Sequence, residues 1–349
     1  MWRFAMAVGL YYSESCLLHD TGDHPESVRR LEAVMRRLRA MPEWPSLSVL
    51  EAPAADLEWL LSVHSPKHVR RVEQLAAAGG GWLDPDTVVS PGSWEAALHA
   101  AGGAVAAGLA VARGDLSGAF VAVRPPGHHA PADRGMGFCL FNNVAIAARR
   151  LLDLRLASRV AVVDFDVHHG NGTQDIFYDD PSVLYFSTHQ MPLYPGSGSV
   201  REVGMGAGEG FTMNVPLDPG VGDEGYGVVF DWVLAPALRR YRPEVILVSA
   251  GYDPHWRDPL ASMRVTVPGF RAMASRIQGL AGELCAGKVV YVLEGGYDTS
   301  ALASAVEATL LALLGSDRTV PDPHGEPARA RGREAVEPVV AEARRIHGL

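Results

Sequence analysis

Asp164-Phe165-Asp166-Val167-His168-His169 follows a short apolar run, Val160-Ala161-Val162-Val163, and this is the stretch best equipped for chemistry. Side chains on a strand alternate, so the spacing predicts Asp164, Asp166 and His168 on one side. Two carboxylates and an imidazole make half of a divalent-metal site. Without cysteine they fit zinc or ferrous iron, with positions left open for water and substrate. A lone Asp-x-His at a strand end is equally compatible with an ordinary polar terminus. The pattern, however, recurs. Ala119-Phe120-Val121-Ala122-Val123 runs into Arg124-Pro125-Pro126-Gly127-His128-His129, Glu244-Val245-Ile246-Leu247-Val248 runs into Ser249-Ala250-Gly251-Tyr252-Asp253, and Lys288-Val289-Val290-Tyr291-Val292-Leu293 runs into Glu294-Gly295-Gly296-Tyr297.

The elements that must position these groups read as an α/β protein. Short β-branched runs suit strands buried on both faces of a parallel sheet, and ligands of open parallel sheets bind beyond the carboxyl ends of the strands. A His pair, Asp253 and the Tyr297 phenol are therefore expected to meet Asp166 and His168 at one end. Between strands the pattern turns helical: Glu26 to Met41, an Ala-rich Trp94 to Val111, Val144 to Leu154 and Tyr226 to Arg240. Helices alternating with strands give βαβ units. Met1 to Tyr12 is expected to hold the first strand. No polar linker interrupts residues 1–316, so one large domain is expected there. Residues 317–349, rich in Pro, Arg and Glu, read as a solvated extension packed on or trailing from it, with a short helix near Glu337 to Ile346.

Composition narrows the function classes. Over 349 residues the formal charge is -9, which disfavours nucleic acid and anionic lipid but tolerates a cationic substrate such as a lysine-rich tail or a polyamine. Cys16, Cys139 and Cys285 show no Cys-x-x-Cys spacing and suit a reducing cytosol, so a cytoplasmic location is expected. Cys139 reads as a buried inert thiol, or less readily as an oxidation-sensitive one. The apolar start lacks a clear small-residue cleavage site. No apolar run is expected to reach the roughly 20 residues that span a bilayer.

Five ordered motifs carry a resemblance. Arg124 to His129, Gly137-Phe138-Cys139-Leu140-Phe141-Asn142-Asn143, Asp164 to Gly172, Ser249 to Asp253 with Asp258-Pro259-Leu260, and Glu294 to Tyr297 together resemble the zinc-dependent histone deacetylase superfamily. The likeness spans roughly residues 8–315 and is nearest the class II branch and bacterial amidohydrolases. It implies the arginase/deacetylase fold, a parallel sheet of about eight strands with helices on both faces. It also implies Asp166, His168 and Asp253 as zinc ligands, His129 as general base, His128 as its electrostatic partner, and Asp164 and Asn171 as their respective orienting groups. Class I enzymes carry Asp at the position of Asn171, so the amide should leave His129 with a lower pKa. Tyr297 matches the phenol that donates to the oxyanion. Some class II relatives have His there and deacetylate poorly.

The same resemblance implies a channel. Phe138 and Tyr194 match an aromatic pair flanking the acyl-lysine stem, although many relatives have Phe where this chain has Tyr194. Gly137 would offer its carbonyl to the substrate amide. Arg30, in His24-Pro25-Glu26-x-x-x-Arg30, would line the channel floor or else be an exposed helical Arg. Asp84 or Asp86 would receive a peptide N–H at the rim. Polyamine deacetylases place a glutamate gatekeeper at the position of Leu260, so Leu260 favours acyl-lysine over acetylpolyamine. Structural potassium is implied at Asp164, Asp166, His168, Ser187 and Thr188, and again at Phe177, Asp180, Val183 and Phe211. Bacterial relatives often form homo-oligomers, but no surface patch here is assigned to that. A non-catalytic binder of acylated ligands would lack Tyr or a metal ligand, and an arginase-like hydrolase would need Asp-x-His-x-Asp; neither matches.

Overall fold

The computed structural model describes residues 7–349. The first strand is expected within Met1 to Tyr12, and residues 1–6 of that stretch lie outside the described residues. Among the described residues ten strands form two sheets: β1 Val8–Tyr12, β2 Leu47–Glu51, β3 Gly81–Asp84, β4 Thr87–Val89, β5 Gly118–Ala122, β6 Val160–Asp164, β7 Val183–Gln190, β8 Thr212–Leu217, β9 Val245–Ala250 and β10 Val289–Leu293. Eight of them make one parallel sheet in the order β2-β1-β5-β10-β9-β6-β7-β8. The remaining pair, β3 and β4, is an antiparallel hairpin.

β5, β6, β9 and β10 are buried along their whole length, which is why each reads as continuous apolar sequence instead of an alternation. They are also four adjacent strands at the centre of the sheet. Parallel pairing points all their carboxyl ends the same way, so the residues that follow them must meet.

Helices cover the sheet, Val28–Ala40, Ser93–Arg113 and Asn143–Asp153 close to their expected positions, joined by Val267–Cys285 and Thr299–Leu313, which are not assigned from sequence. The expected Tyr226–Arg240 helix is one continuous rod, Asp223–Val229 and Ala235–Tyr241 joined through a π turn at Phe230–Leu234. Against the sequence expectation, Ser93–Arg113 is long and apolar enough to cross a membrane by length and composition. In the fold it is a core helix, packed on the Asn143–Asp153 helix and on β5, with two-thirds of its apolar window buried.

The C-terminal segment is more integrated than a solvated tail. Its helix runs over Arg333–His347 and buries Val336, Val340 and Ala343 against β8 and the Asp223–Val229 helix. Each buried Val is worth about 1.5–3 kcal/mol, so burial of this face favours a docked helix. The charged residues that made the segment look solvated occupy its outer face.

Candidate active site

Asp164 ends β6, but Asp166 and His168 lie beyond the strand, in the 165–170 loop. Strand alternation therefore does not bring them together. Instead Asp164 Oδ1 accepts the Asp166 N–H at 3.1 Å, and Asp166 Oδ1 accepts the His168 N–H at 2.9 Å. Two successive side-chain-to-backbone turns use the same two-residue spacing to curl the loop over the sheet end. His168 Nδ1 then sits 3.1 Å from Asp166 Oδ1 and 3.2 Å from Asp253 Oδ2. Asp253 arrives from the loop after β9, and its Oδ1 accepts the Val167 N–H at 2.9 Å.

These three ligand atoms converge without cysteine, and buried Asp253 Oδ2 has His168 Nδ1 at 3.2 Å as its one close polar neighbour, without the geometry of a hydrogen bond. Two buried carboxylates sharing one imidazole are costly, and a divalent cation between these atoms would satisfy them. Electrostatics agree. Burial lowers the His168 pKa, but Asp166 and Asp253 outweigh it and push it up to about 10. Burial likewise opposes ionisation of Asp166, yet His128 and His168 hold it well below the carboxylate range. The pocket is built for positive charge. A Cβ on Gly295 would lie 2.2 Å from Asp253 Oδ2 and 2.6 Å from Asp166 Oδ2, so only glycine lets both carboxylates approach here.

His128 and His129 are brought in by the loop after β5, with ring centroids 4.0 Å apart. His128 Nδ1 meets Asp164 Oδ2 at 3.0 Å. Burial lowers its pKa, but Asp166 and then Asp164 raise it to about 10. His129 Nδ1 meets Asn171 Oδ1 at 2.9 Å, while the Asn171 amide N–H reaches the His129 carbonyl at 3.4 Å. An amide oxygen only accepts, so Nδ1 carries the proton and Nε2 keeps its lone pair. Burial, followed by the charges of His128 and His168, lowers the His129 pKa well below 6.5. One imidazole is held cationic and its neighbour neutral, a division of labour suited to an acid–base pair.

Four residues not singled out from sequence hold this machinery. Glu294 Oε2 accepts the Gly127 N–H at 2.6 Å and the His128 N–H at 3.2 Å, fixing the histidine loop to β10. Asp258 Oδ2 accepts the Tyr297 N–H at 2.7 Å. Glu26 receives both arms of Arg124, at 2.8 and 2.7 Å, and Arg30 Nη1 at 3.0 Å. Glu26, Arg124, Asp258 and Glu294 all lie inside or beside the motifs quoted above; apart from the Glu26–Arg30 pair their partners are distant in sequence, so no local signal marks those pairings.

Arg30 is neither exposed nor part of the channel lining. It is 1 % exposed, donates Nε–H to the Gly296 carbonyl at 2.7 Å and a further N–H to the Glu294 carbonyl, and lies 5.0 Å from the Tyr297 ring centroid. It sits behind the tyrosine. Burial, then Asp253, pushes the Tyr297 pKa well above 10, so the phenol keeps its proton and remains a donor.

A cavity of about 210 Å³ leads to these groups. Asp86, Gly137, Phe138, Tyr194 and Leu260 line it together with His128, His129, His168, Gly295 and Tyr297. Phe138 meets Tyr297 edge-on with centroids 5.8 Å apart, and Tyr194 meets His129 edge-on at 5.1 Å. Phe138 has φ 70°, an uncommon conformation for a bulky residue, kept where the backbone turns its ring into the cavity. The Gly137 carbonyl takes the Cys139 thiol at 3.3 Å. Burial pushes that thiol well above its usual pKa, the condition of an inert thiol. Asp86 stands beside Asp84 on the β3–β4 hairpin, and burial, then Asp84, raises its pKa.

The residues named for potassium fall in two places. Ser187 pairs with Asp164 in the β6–β7 register, Thr188 follows it, and Thr188 Oγ1 is buried without a partner. Ser187 thus lies beside the strand end from which the loop bearing Asp166 and His168 departs. Phe177 ends a short helix, Asp180 lies in the turn after it and Val183 opens β7, and the Phe211 carbonyl accepts the Tyr185 N–H at 2.9 Å. The Asp180 carboxylate is occupied by Arg149 at 3.0 Å and by Ser182.

A larger cavity of about 610 Å³ lies at the opposite ends of β7 and β8, near Arg159, Tyr241 and His347. Size favours it, but it brings together no ligand trio and no acid–base pair. The smaller cavity lies beside both.

The histone deacetylase domain profile matches residues 24–313. A probable deacetylase of Archaeoglobus fulgidus is 44 % identical over 295 residues, covering 84 % of this chain and 82 % of that protein. A histone deacetylase-like amidohydrolase of Pseudomonas aeruginosa is 38 % identical over 335 residues, covering 90 % and 87 %. The crystal structure of the HDA15 HD domain superposes with a TM-score of 0.87 at 34 % identity, covering 98 % of this chain and 96 % of that one. With its eight-stranded parallel sheet and the convergent loops at one end, the chain has the arginase/deacetylase fold and belongs to the histone deacetylase superfamily, whose bacterial members are included.

Proposed function

We propose that this chain is a zinc-dependent deacetylase that removes acetyl groups from Nε-acyl-lysine or a similar acylated amine. The observation that carries the reading is the convergence of the Asp166, His168 and Asp253 ligand atoms, beside a cavity lined by a neutral His129 and a protonated Tyr297. Asp166, His168 and Asp253 would hold the ion. A bound zinc, or ferrous iron, supplies Lewis acidity, lowering the pKa of water toward about 7 and polarising a carbonyl.

The chain's own groups do the rest. His129 Nε2, its proton confined to Nδ1 by Asn171, takes the proton of the attacking water and later returns one to the leaving amine. His128, held cationic by Asp166 and Asp164, stabilises the negative charge that develops beside it. Tyr297 donates its phenolic hydrogen to the oxyanion, and losing such a donor typically costs about 10²- to 10³-fold in rate. Phe138 and Tyr194 would flank the aliphatic stem, the Gly137 carbonyl would take the amide N–H through its free lone pair, and Asp86 would meet a peptide N–H or a cation at the rim. Potassium at the sites near Ser187 and in the Phe177–Phe211 group would be structural. Residues 1–316 would form the catalytic domain, with 317–349 packed on it.

Leu260 in the channel, where a glutamate would meet a distal ammonium, supports acyl-lysine over an acetylated polyamine. The test is kcat/KM of the zinc-loaded protein on an acetyl-lysine peptide and on an acetylated polyamine side by side, with Tyr297→Phe as control. Preference for the peptide, lost in the variant, is expected. Preference for the polyamine overturns the Leu260 argument, and no turnover of any acetylated amine overturns the deacetylase reading in favour of a binding protein.

A further inference from the structure

We infer that Asp322 and His324, beyond the matched domain, are positioning residues for Tyr297, strapping together the loop that follows β9 and the loop that follows β10. The inference rests on the deacetylase reading above. Asp322 Oδ2 accepts the His255 Nε2–H at 2.8 Å and the Val267 N–H at 3.0 Å. His255 Nδ1 in turn accepts the Arg257 N–H at 3.2 Å, which fixes the proton on Nε2 and orients the ring. Two residues on, His324 donates its own N–H to Asp322 Oδ1 at 2.9 Å and Nε2–H to Asp298 Oδ1 at 3.0 Å. The His324 ring also meets Trp256 edge-on.

Both anchor points touch the reaction centre by sequence adjacency. His255 is two residues from Asp253, and Asp298 follows Tyr297. The N–H groups of Tyr297 and Asp298 both point at Asp258 Oδ2, at 2.7 and 3.4 Å, and Asp258 belongs to the β9 loop as well. Asp258 and the Asp322–His324 pair are therefore two separate ties between the same two loops. The β10 loop needs them, because Gly295 and Gly296 precede Tyr297 and give it a flexible root. Pro321 and Pro323 fix the backbone on either side of Asp322, so the strap itself is stiff. The Asp322 side chain is only 5 % exposed and that of His255 1 %, which is not how a solvated tail behaves.

A phenol that must stand within hydrogen-bond reach of a developing oxyanion loses rate steeply when displaced, about 10²-fold for 1 Å. Loss of one tie should move it by less. His324→Ala is expected to lower kcat roughly tenfold with KM changed less than about twofold and the fold intact by thermal melting. His324→Gln places an amide N–H near the Nε2 position and is expected to restore most of the rate. The discriminating measurement repeats His324→Ala in the Tyr297→Phe background, where a residue acting through the phenol has nothing left to position, so no further fall is expected. An unchanged kcat in His324→Ala, or the same fall with the phenol gone, overturns the inference. Hydrogen exchange of residues 294–298 decides it independently of turnover: faster exchange in His324→Ala but not in His324→Gln is expected, and unchanged exchange in both overturns it. Should the parent protein deacetylate nothing, the function reading fails while the exchange experiment still judges the strap.

Discussion

Replacing Glu26 by Gln removes one negative charge from a site where two guanidinium groups depend on it. Glu26, Arg30 and Arg124 are each 1 % exposed or less. The carboxylate accepts Arg124 Nε–H and Nη2–H at 2.8 and 2.7 Å and Arg30 Nη1–H at 3.0 Å, with His19 Nε2 at 3.5 Å. The amide keeps the shape but turns one acceptor into a donor facing donors, and leaves two buried cations compensated only by carbonyls. Breaking a buried ion pair from one side costs about 3–5 kcal/mol. At about 2.1 cal/mol/K per residue, a chain of 349 residues has an unfolding entropy of about 0.7 kcal/mol/K, so the loss corresponds to a Tm drop of about 4–7 °C. Equilibrium unfolding in urea should give the same free energy as a lower midpoint at unchanged slope. Burial raises the Glu26 pKa, but Arg124, then His19 and Arg30, hold it far below the carboxylate range. Its contribution is thus complete above the usual carboxylate pKa and lost only in acid, so the deficit should be equal at pH 8 and pH 6. Activity should fall too, because Arg30 carries the Gly296 and Glu294 carbonyls behind Tyr297. A Tm within 1 °C of the parent protein, or a deficit that vanishes between pH 8 and pH 6, would refute the reasoning.

Asn171→Asp places a carboxylate 2.9 Å from His129 Nδ1; stabilising the imidazolium, it should raise the acidic midpoint of the kcat/KM profile by about one unit or more, and a midpoint that stays put or falls contradicts the assigned tautomer. Chelation should lower Tm and added zinc restore it, by about 2.7 kcal/mol at a hundredfold excess over Kd; Asp253→Ala should abolish that response, whereas an unchanged response would place the metal elsewhere. His64 is buried, with Nδ1 at 3.0 Å from the Pro131 carbonyl and Nε2 accepting the Asn142 N–H. Burial, then His68, lowers its pKa to about 3. Its stabilising contribution is present above about 6.5 and lost as pH falls toward 3, so its ring resonances should not titrate between pH 8 and 5 while stability declines below about pH 6.

The central strands were legible because burial on both faces of a parallel sheet leaves almost only apolar residues: β6, β9 and β10 are dominated by β-branched ones, and β5 by small and apolar ones. Their loops were legible because parallel strands share a carboxyl end. The two-residue spacing of Asp164, Asp166 and His168 also pointed to one site, though by the wrong geometry: strand alternation and successive side-chain turns leave the same trace in sequence, and only the turns occur here. What escaped has a common cause. Arg30 and Glu26 look like one turn of a surface helix, and nothing local distinguishes them from such a turn, because the group that neutralises their surroundings, Arg124, lies 98 residues away from Glu26. Asp322 and His324 sit in a polar, proline-rich stretch whose composition matches a solvated tail, yet their partners are His255 and Asp298. Burial of an apolar residue is a property of its own side chain and shows in periodicity. Burial of a charge is a property of the pair, so it becomes visible only when the fold has chosen the second member. Glu26, Asp258, Glu294 and the Asp322–His324 pair, which hold the loops of Tyr297 and the histidines, belong to that second kind, which is why their pairing could not be read from sequence.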